Sequence, residues 1–202
     1  KPIARVSADL GLPLVISEEC LTPLDEITAI HPGALLQIIG AGPLERARAL
    51  IDHAAQSGAI GIVVTGLAPV HPKPGFSPGG FDIKAETARR GLKPIGYAAG
   101  TNPLPPFPRW SWAELKRVVD HAAGLGLKVV LKGVLRGEDA VSAEAVGCSG
   151  VMVSNLGVLN LYRFAPSIDR LSDVAGFATR TVAIDGGVRN GGDVVVSLCL
   201  GA

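Results

Sequence analysis

The stretch HAAGLGLKVVLKG, residues 121–133, decides the fold, because its pattern is repeated elsewhere in the chain. An alanine-rich helical segment stops at glycine, a short turn follows, and an aliphatic run then ends at a polar residue or glycine. Repetition of helix, glycine stop and buried strand predicts βα units and a parallel sheet. The other copies are SADLGLPLVISEE (7–19), HAAQSGAIGIVVT (53–65) and AEAVGCSGVMVSN (143–155).

The repeated pattern predicts six strands, and six units in series favour a TIM (β/α)8 barrel over an open sheet. A barrel has eight strands and typically about 250 residues, so a chain of 202 residues predicts an incomplete α/β barrel of about six units. The predicted strands are 13–17, 34–39, 61–65, 127–132, 149–154 and 180–185. The predicted helices are 3–10, 22–30, 43–57, 112–124, 137–147, 167–177 and 190–200.

The composition favours a soluble globular protein with an aliphatic core. Hydrophobic residues make up 48% of the chain, which is enough for one domain over residues 1–202. Nineteen Lys and Arg against 18 Asp and Glu leave no basic excess for nucleic acid or a membrane surface. The three cysteines form no metal-binding or CxxC spacing. Without a signal peptide or a membrane-length apolar run, we expect a cytoplasmic protein.

Residues 66–111 interrupt the repeated pattern and contain most of the 15 prolines. A connection of this length is unusual in a compact domain, and such connections are commonly functional lids. The segment leaves the carboxyl end of the third predicted strand. Ligands bind at that end of the strands in parallel α/β folds. We therefore expect a long Pro/Gly-rich loop over a ligand site.

Two stretches, VLKGVLRGEDAVSAEAVGCSGVMVSN (130–155) and AIDGGVRNGGDVVVSLCLGA (183–202), resemble a known family. They are similar to the FMN-dependent 2-hydroxy acid oxidases and dehydrogenases, which include glycolate oxidase, lactate oxidase and mandelate dehydrogenase. LVISEECLTPLDEI (14–27) and residues 35–65 fit the earlier part of the same pattern. The resemblance implies a TIM barrel with FMN at its carboxyl end, whose first and eighth strands lie outside this chain.

The resemblance implies five positions around the flavin ring. Ser17 would touch the ribityl chain or the ring, and Gln37 would face the pyrimidine edge. Thr65 would hydrogen-bond near O4 and N5, and Ser154 would line the same ring. Lys132 would lie by N1 and O2, where a fixed positive charge tunes the electronics of the cofactor.

The resemblance also implies a phosphate side. Asp185 would hold ribityl hydroxyls, and Gly186, Gly187 and Arg189 would approach the phosphate. Glycine allows close backbone approach, and the arginine fork matches phosphate oxygens. We therefore expect FMN as the cofactor, and we expect no metal site.

The positions that carry chemistry in the family differ here. The family histidine that takes the substrate hydroxyl proton is replaced by Leu156, which has no proton acceptor. The second of the two family glycines and the arginine that binds the substrate carboxylate become Val158 and Leu159. The family tyrosine becomes Ile39, and an aspartate becomes Leu67. These changes predict altered substrate chemistry.

Three interpretations remain open at this stage. The first is an FMN-dependent oxidoreductase for a small molecule that is less polar than a 2-hydroxy acid, with His71 as a weak candidate for the catalytic base. The second is a catalytically inactive homologue that acts as a scaffold or partner subunit, because six units leave two open strand edges. The third is that the chain is part of a longer protein. We also expect a homo-oligomer or a complex with another subunit.

Overall fold

The computed structural model of the protein describes residues 1–66, 83–98, 108–156 and 165–202. Helices and strands alternate along these residues. The strands are β1 (Leu14–Ser17), β2 (Ala34–Ile39), β3 (Gly61–Thr65), β4 (Lys128–Val134), β5 (Gly150–Val153) and β6 (Thr181–Ile184). The helices are α1 (Pro2–Asp9), α2 (Leu24–Thr28), α3 (Leu44–Gln56), α4 (Ile83–Arg89), α5 (Ile95–Ala98), α6 (Trp112–Gly124), α7 (Gly137–Ala145), α8 (Ser167–Phe177) and α9 (Gly191–Cys199).

The six strands form one parallel sheet whose spatial order, β1 to β6, is the order of the strands in the chain. Each strand therefore pairs with the next one. The helices that connect the strands pack against one face of the sheet. This is the arrangement of consecutive units in a TIM barrel. The predicted α/β class, the parallel sheet and all six predicted strands are confirmed.

The core lies between the sheet and the helices. Side chains alternate between the two faces of a strand. In β2 the alternation is regular, because Ala34, Leu36 and Ile38 are fully buried and every other residue of the strand is only partly buried. Leu36 and Ile38 belong to the same buried cluster as Leu50 and Ile51 of α3. The opposite face of the sheet is therefore available for a ligand-binding site.

Helix starts follow the local signals in the sequence. Ser111 caps α6, because its hydroxyl accepts from the Glu114 backbone N–H and the Glu114 carboxylate accepts in return from the Ser111 N–H. Glu138 and Asp139 place negative charge in the first turn of α7, where it interacts favourably with the helix dipole. None of the helices in the described ranges combines the length and hydrophobicity that a membrane crossing requires.

Two short helices, α4 and α5, lie within residues 66–111, where the sequence analysis predicted only a long loop. The frequent prolines and glycines of this segment indicate turns, so the sequence does not predict these two helices. Helix α5 binds the loop after β1, because Ile95 N–H donates to the Cys20 carbonyl and Gly96 N–H to the Glu18 carbonyl, both at 2.9 Å. Ile95 is 2% exposed, so α5 is anchored in the core.

Candidate functional site

Four of the residues predicted to face the cofactor are joined by the register of the sheet. Ser17 pairs with Gln37 across β1 and β2, and Thr65 pairs with Lys132 across β3 and β4. Ile39, two residues beyond Gln37, pairs with Thr65. Paired residues in a sheet point to the same face, as do residues two apart along a strand. These side chains therefore share the face opposite the helices, at the carboxyl ends of four neighbouring strands.

Lys132 is the centre of the polar cluster on this face. Its Nζ lies 2.7 Å from Asp185 Oδ2 and donates to Ser154 Oγ at 2.8 Å. The Lys132 side chain is only 16% exposed, so the charge is held where water is scarce. One cation thus connects the ends of β4, β5 and β6.

The position of Lys132 depends on a glycine bulge. The β4–β5 register shifts between Lys132 and Val134, with Gly133 at φ +101° between them. A Cβ at Gly133 would lie 2.6 Å from the Gly66 carbonyl oxygen, which only glycine avoids. The backbone is fixed on the other side too, since Gly66 N–H donates to the Lys132 carbonyl at 2.8 Å.

Gln37 and Thr65 form a second polar pair on the same face. Gln37 Nε2 donates to Thr65 Oγ1 at 2.9 Å, which fixes the amide of Gln37 across two strands. Thr65 is 5% exposed, whereas Gln37 is partly exposed. The amide of Gln37 can therefore face a ligand while Thr65 holds its orientation.

The loop after β6 borders an open cavity of about 430 Å³. Asp185 N–H donates to the Val153 carbonyl at 3.0 Å, and Gly186 and Gly187 follow with φ of +84° and +85°. A Cβ added at Gly187 would meet no atom within 4 Å, so the backbone there is open to a ligand. Arg189 is exposed at the cavity wall.

The turn after β5 places Leu156 beside the Lys132 cluster. Ser154 Oγ accepts from Leu156 N–H at 3.1 Å and also from Lys132 Nζ. Leu156 adopts φ +57°, the only positive φ at a non-glycine residue within the described ranges. This left-handed conformation costs a leucine roughly 1–2 kcal/mol. The turn therefore projects an aliphatic side chain at the position where the resemblance predicts a base.

The structure adds contacts that the sequence analysis did not identify. Ser167, at the start of α8, is 2% exposed and its Oγ accepts from Asn155 N–H at 3.1 Å. Glu18, directly after β1, is 2% exposed and forms an ion pair with Arg46 of α3. Burial raises the pKa of Glu18, and the attraction of Arg46 only partly opposes this effect. No motif spacing marks these contacts, because each joins residues on different elements.

Several predicted positions lie outside the described residues. They include His71, the weak candidate for a base, and the positions Leu67, Val158 and Leu159. The described site therefore consists of the predicted FMN-facing residues and Leu156. The catalytic assignment of His71 stays a prediction.

The described residues fit a flavin phosphate ester chemically. The sheet edge presents an amide and a hydroxyl, a partly buried ammonium group lies beside them, and an open Gly-Gly turn with an arginine follows. These groups match a polar ring edge, a negatively charged ring and a phosphate, respectively. The order along the sheet agrees with the order predicted from the resemblance: Ser17, Gln37, Thr65, Lys132, Ser154, Asp185, Gly186, Gly187 and Arg189.

Comparison with known proteins gives the family. The family model of the FMN-dependent dehydrogenases matches residues 1–202. The chain is 30% identical to a 4-hydroxymandelate oxidase of Amycolatopsis orientalis, over 99% of this chain and 58% of that protein. It is 29% identical to 2-hydroxyacid oxidase 2 of Mus musculus, over 100% of this chain and 59% of that protein.

The solved structures agree with the family match. A mandelate oxidase variant bound to a trifluorinated dihydroxypropanoic acid superposes with a TM-score of 0.78 at 30% identity, over 99% of this chain and 56% of that one. A variant that carries a monooxide FMN adduct superposes with a TM-score of 0.76 at 28% identity. The chain thus spans less than two thirds of the length of these relatives, and the predicted partial TIM-barrel fold is confirmed. The protein belongs to the FMN-dependent dehydrogenase family, whose cofactor is FMN.

Proposed function

We propose that this chain binds FMN at the carboxyl edge of its sheet and forms part of an oxidoreductase for substrates less polar than 2-hydroxy acids. The observation that carries the proposal is the cluster in which Lys132 contacts both Ser154 and Asp185. The Lys132 ammonium group has three N–H donors, and beside its contacts with Asp185 and Ser154 it can also donate to the electron-rich edge of a flavin.

The residues of the chain would share the binding of the cofactor. FMN, when bound, supplies a ring that accepts a hydride from a substrate carbon. Gln37 and Thr65 would hold the polar edge of this ring, and Lys132 would offset the negative charge that the ring gains. The turn at Gly186 and Gly187 would admit the phosphate chain to close backbone contact.

The substrate side of the proposal rests on two aliphatic residues. Leu156 follows the cluster, and Ile39 pairs with Thr65 on the same face. Neither side chain can accept a proton, and a positioned general base is typically worth about 10²–10⁴ in rate. Ordinary oxidation of a 2-hydroxy acid is therefore disfavoured. Substrates that are more apolar, or already activated for hydride loss, suit this pocket better. A neutral amine is one example, because nitrogen stabilises the cation left behind without prior loss of a proton.

The proposal is tested by anaerobic reduction of the FMN-loaded protein with three benzylic donors, in buffer alkaline enough for benzylamine to be a neutral amine. Mandelate carries a carboxylate and a hydroxyl, methyl mandelate lacks the free carboxylate, and benzylamine carries neither group. We expect bleaching of the flavin absorbance to be faster with methyl mandelate or benzylamine than with mandelate. Fastest bleaching by mandelate would contradict the altered chemistry, although it would leave FMN binding intact.

A second candidate is a catalytically inactive homologue that acts as a scaffold or partner subunit. It is supported by Leu156, which occupies the position where the resemblance places the base. This candidate predicts a flavin that stays oxidised with all three donors, and a stable complex, with itself or with another subunit, in sedimentation. Reduction by any of the donors at a catalytic rate would exclude it.

A further inference from the structure

Glu18 occupies an unusual place at the end of β1. Its backbone N–H donates to the Gln37 carbonyl at 2.9 Å, which continues the parallel pairing of β1 with β2. A regular parallel ladder would next bring Ile39 N–H to the Glu18 carbonyl. That carbonyl instead accepts from Gly96 N–H of α5.

The side chain of Glu18 replaces the missing backbone acceptor. Ile39 N–H donates to Glu18 Oε1 at 2.9 Å, while the other carboxylate oxygen binds Arg46 Nη2 of α3. Glu18 is 2% exposed, so water does not compete for these bonds. One residue thus joins β1 and β2 to α3 and α5.

Both β2 residues that Glu18 contacts carry side chains on the candidate site. Gln37 donates its amide to Thr65, and Ile39 pairs with Thr65 in the sheet. The side chain of Glu18 itself points the other way, toward α3. Since both of its carboxylate oxygens are engaged by protein groups, Glu18 does not act as a proton acceptor for a substrate.

We infer that Glu18, held by Arg46, is a positioning residue that sets the end of β2 and thereby the cofactor-facing amide of Gln37. This inference rests on the proposed FMN function. It concerns the conformation of the carboxyl end of β2 rather than the net stability of the protein. Within the described residues, Arg46 Nε and Nη1 are buried without hydrogen-bond partners, so the pair bears an uncompensated desolvation cost.

The experiment compares two neutral double variants that differ in one acceptor. Glu18→Gln with Arg46→Met removes both charges and keeps an oxygen for Ile39 N–H. Glu18→Leu with Arg46→Met removes the charges and the acceptor. Both should fold, because buried ion pairs are commonly replaced by neutral groups without loss of stability. Val129→Ala, in β4 near its amino end, is the control for a general loss of core packing.

Two readouts separate the inference from the proposed function. The first is exchange of the Ile39 amide hydrogen in the protein without FMN, which we expect to be about a hundredfold faster in the leucine variant alone. The second is FMN titration with the visible spectrum recorded, where we expect Kd to rise about tenfold in the leucine variant alone.

Each outcome has a definite meaning. Equal exchange and equal FMN affinity in the two double variants would overturn the inference. The same loss of affinity in Val129→Ala as in the leucine variant would also overturn it, since the effect would then be one of general packing. A wild-type protein that binds no FMN would overturn the proposed function and with it the cofactor role of Glu18. The exchange comparison would then decide separately whether Glu18 holds β2.

Discussion

Lys132 Nζ lies 2.7 Å from Asp185 Oδ2, so the end of β4 contacts the loop after β6 across the intervening strand β5. Neighbouring strands are about 4.8 Å apart. A contact that crosses β5 must therefore cover two such spacings, which requires a long side chain. Ser154, at the end of β5, accepts a hydrogen bond from the same ammonium group at 2.8 Å. Three strand ends are thereby fixed in relation to one another, and a ligand meets a preformed polar centre that contains an ammonium group.

Replacing the cation should weaken FMN binding. In Lys132→Met, a charge-assisted contact worth about 1.5–3 kcal/mol is lost, so the Kd for FMN should rise about tenfold to a hundredfold. Quenching of FMN fluorescence during titration measures this change.

Lys116→Met is the matched control for that prediction. Lys116 is exposed on α6 and, among the described residues, pairs with Asp120 one turn away at 2.8 Å. Its removal should leave FMN affinity unchanged. Equal weakening in the two variants would show that total charge, rather than the Lys132 cluster, governs binding.

Restoring a proton acceptor at Leu156 should restore part of the hydroxy acid chemistry. Leu156→His should speed flavin reduction by mandelate about tenfold, less than the usual 10²–10⁴ for a general base, because the resemblance implies that Leu159 also replaces the carboxylate-binding arginine. Histidine also tolerates positive φ better than leucine, so the turn should be retained. Leu156→Gln, polar but not basic, is the control in stopped-flow assays. If mandelate reduces the flavin equally slowly in both variants, the lack of a base is not what limits the reaction.

The burial of Glu18 should appear in the pH dependence of stability. Burial raises the pKa of Glu18 above 4.5, aided by the nearby Glu19 and opposed by Arg46. At pH values between 4.5 and the raised pKa, the folded protein therefore binds more protons than the unfolded chain. The stability that Glu18 contributes is then greatest below pH 4.5 and falls as pH rises through its raised pKa. Urea unfolding between pH 4 and 7 should show this decline in the wild type relative to Glu18→Gln. A wild-type free energy of unfolding that instead rises with pH relative to that of Glu18→Gln would contradict the raised pKa.

The cysteines should differ in reactivity. Burial raises the pKa of Cys148 to about 11, and its side chain is fully buried, whereas Cys199 is exposed on α9. Because the thiolate is the reactive form, iodoacetamide at pH 8 should modify Cys199 readily and Cys148 only after unfolding. Peptide mapping by mass spectrometry measures both sites. Comparable native rates would contradict the described core.

Periodicity and glycine stops sufficed to predict the strands and their parallel order. The pattern works because each buried strand, such as β3, is a short aliphatic run between a glycine and a polar end. The FMN-facing positions followed from family motifs, and the structure brings them to one edge. Their roles toward FMN, the cytoplasmic location and the oligomeric state remain predictions.

Other features could not be predicted because they depend on contacts between distant residues. The bond from Ile39 N–H to Glu18 Oε1 exists because α5 takes the Glu18 carbonyl, and α5 itself lay hidden in a proline-rich segment. The φ of +57° at Leu156 follows from the bond between its N–H and Ser154 Oγ, a choice of turn that the leucine itself does not favour. Neither feature has a residue spacing that marks it in advance.

The most direct measurement is the visible absorption spectrum of the purified protein after incubation with FMN and gel filtration. Our account predicts flavin bands that elute with the protein and are diminished in Lys132→Met but not in Lys116→Met. A colourless wild-type protein that also fails to quench FMN fluorescence would contradict the claim that this edge of the sheet is a flavin site.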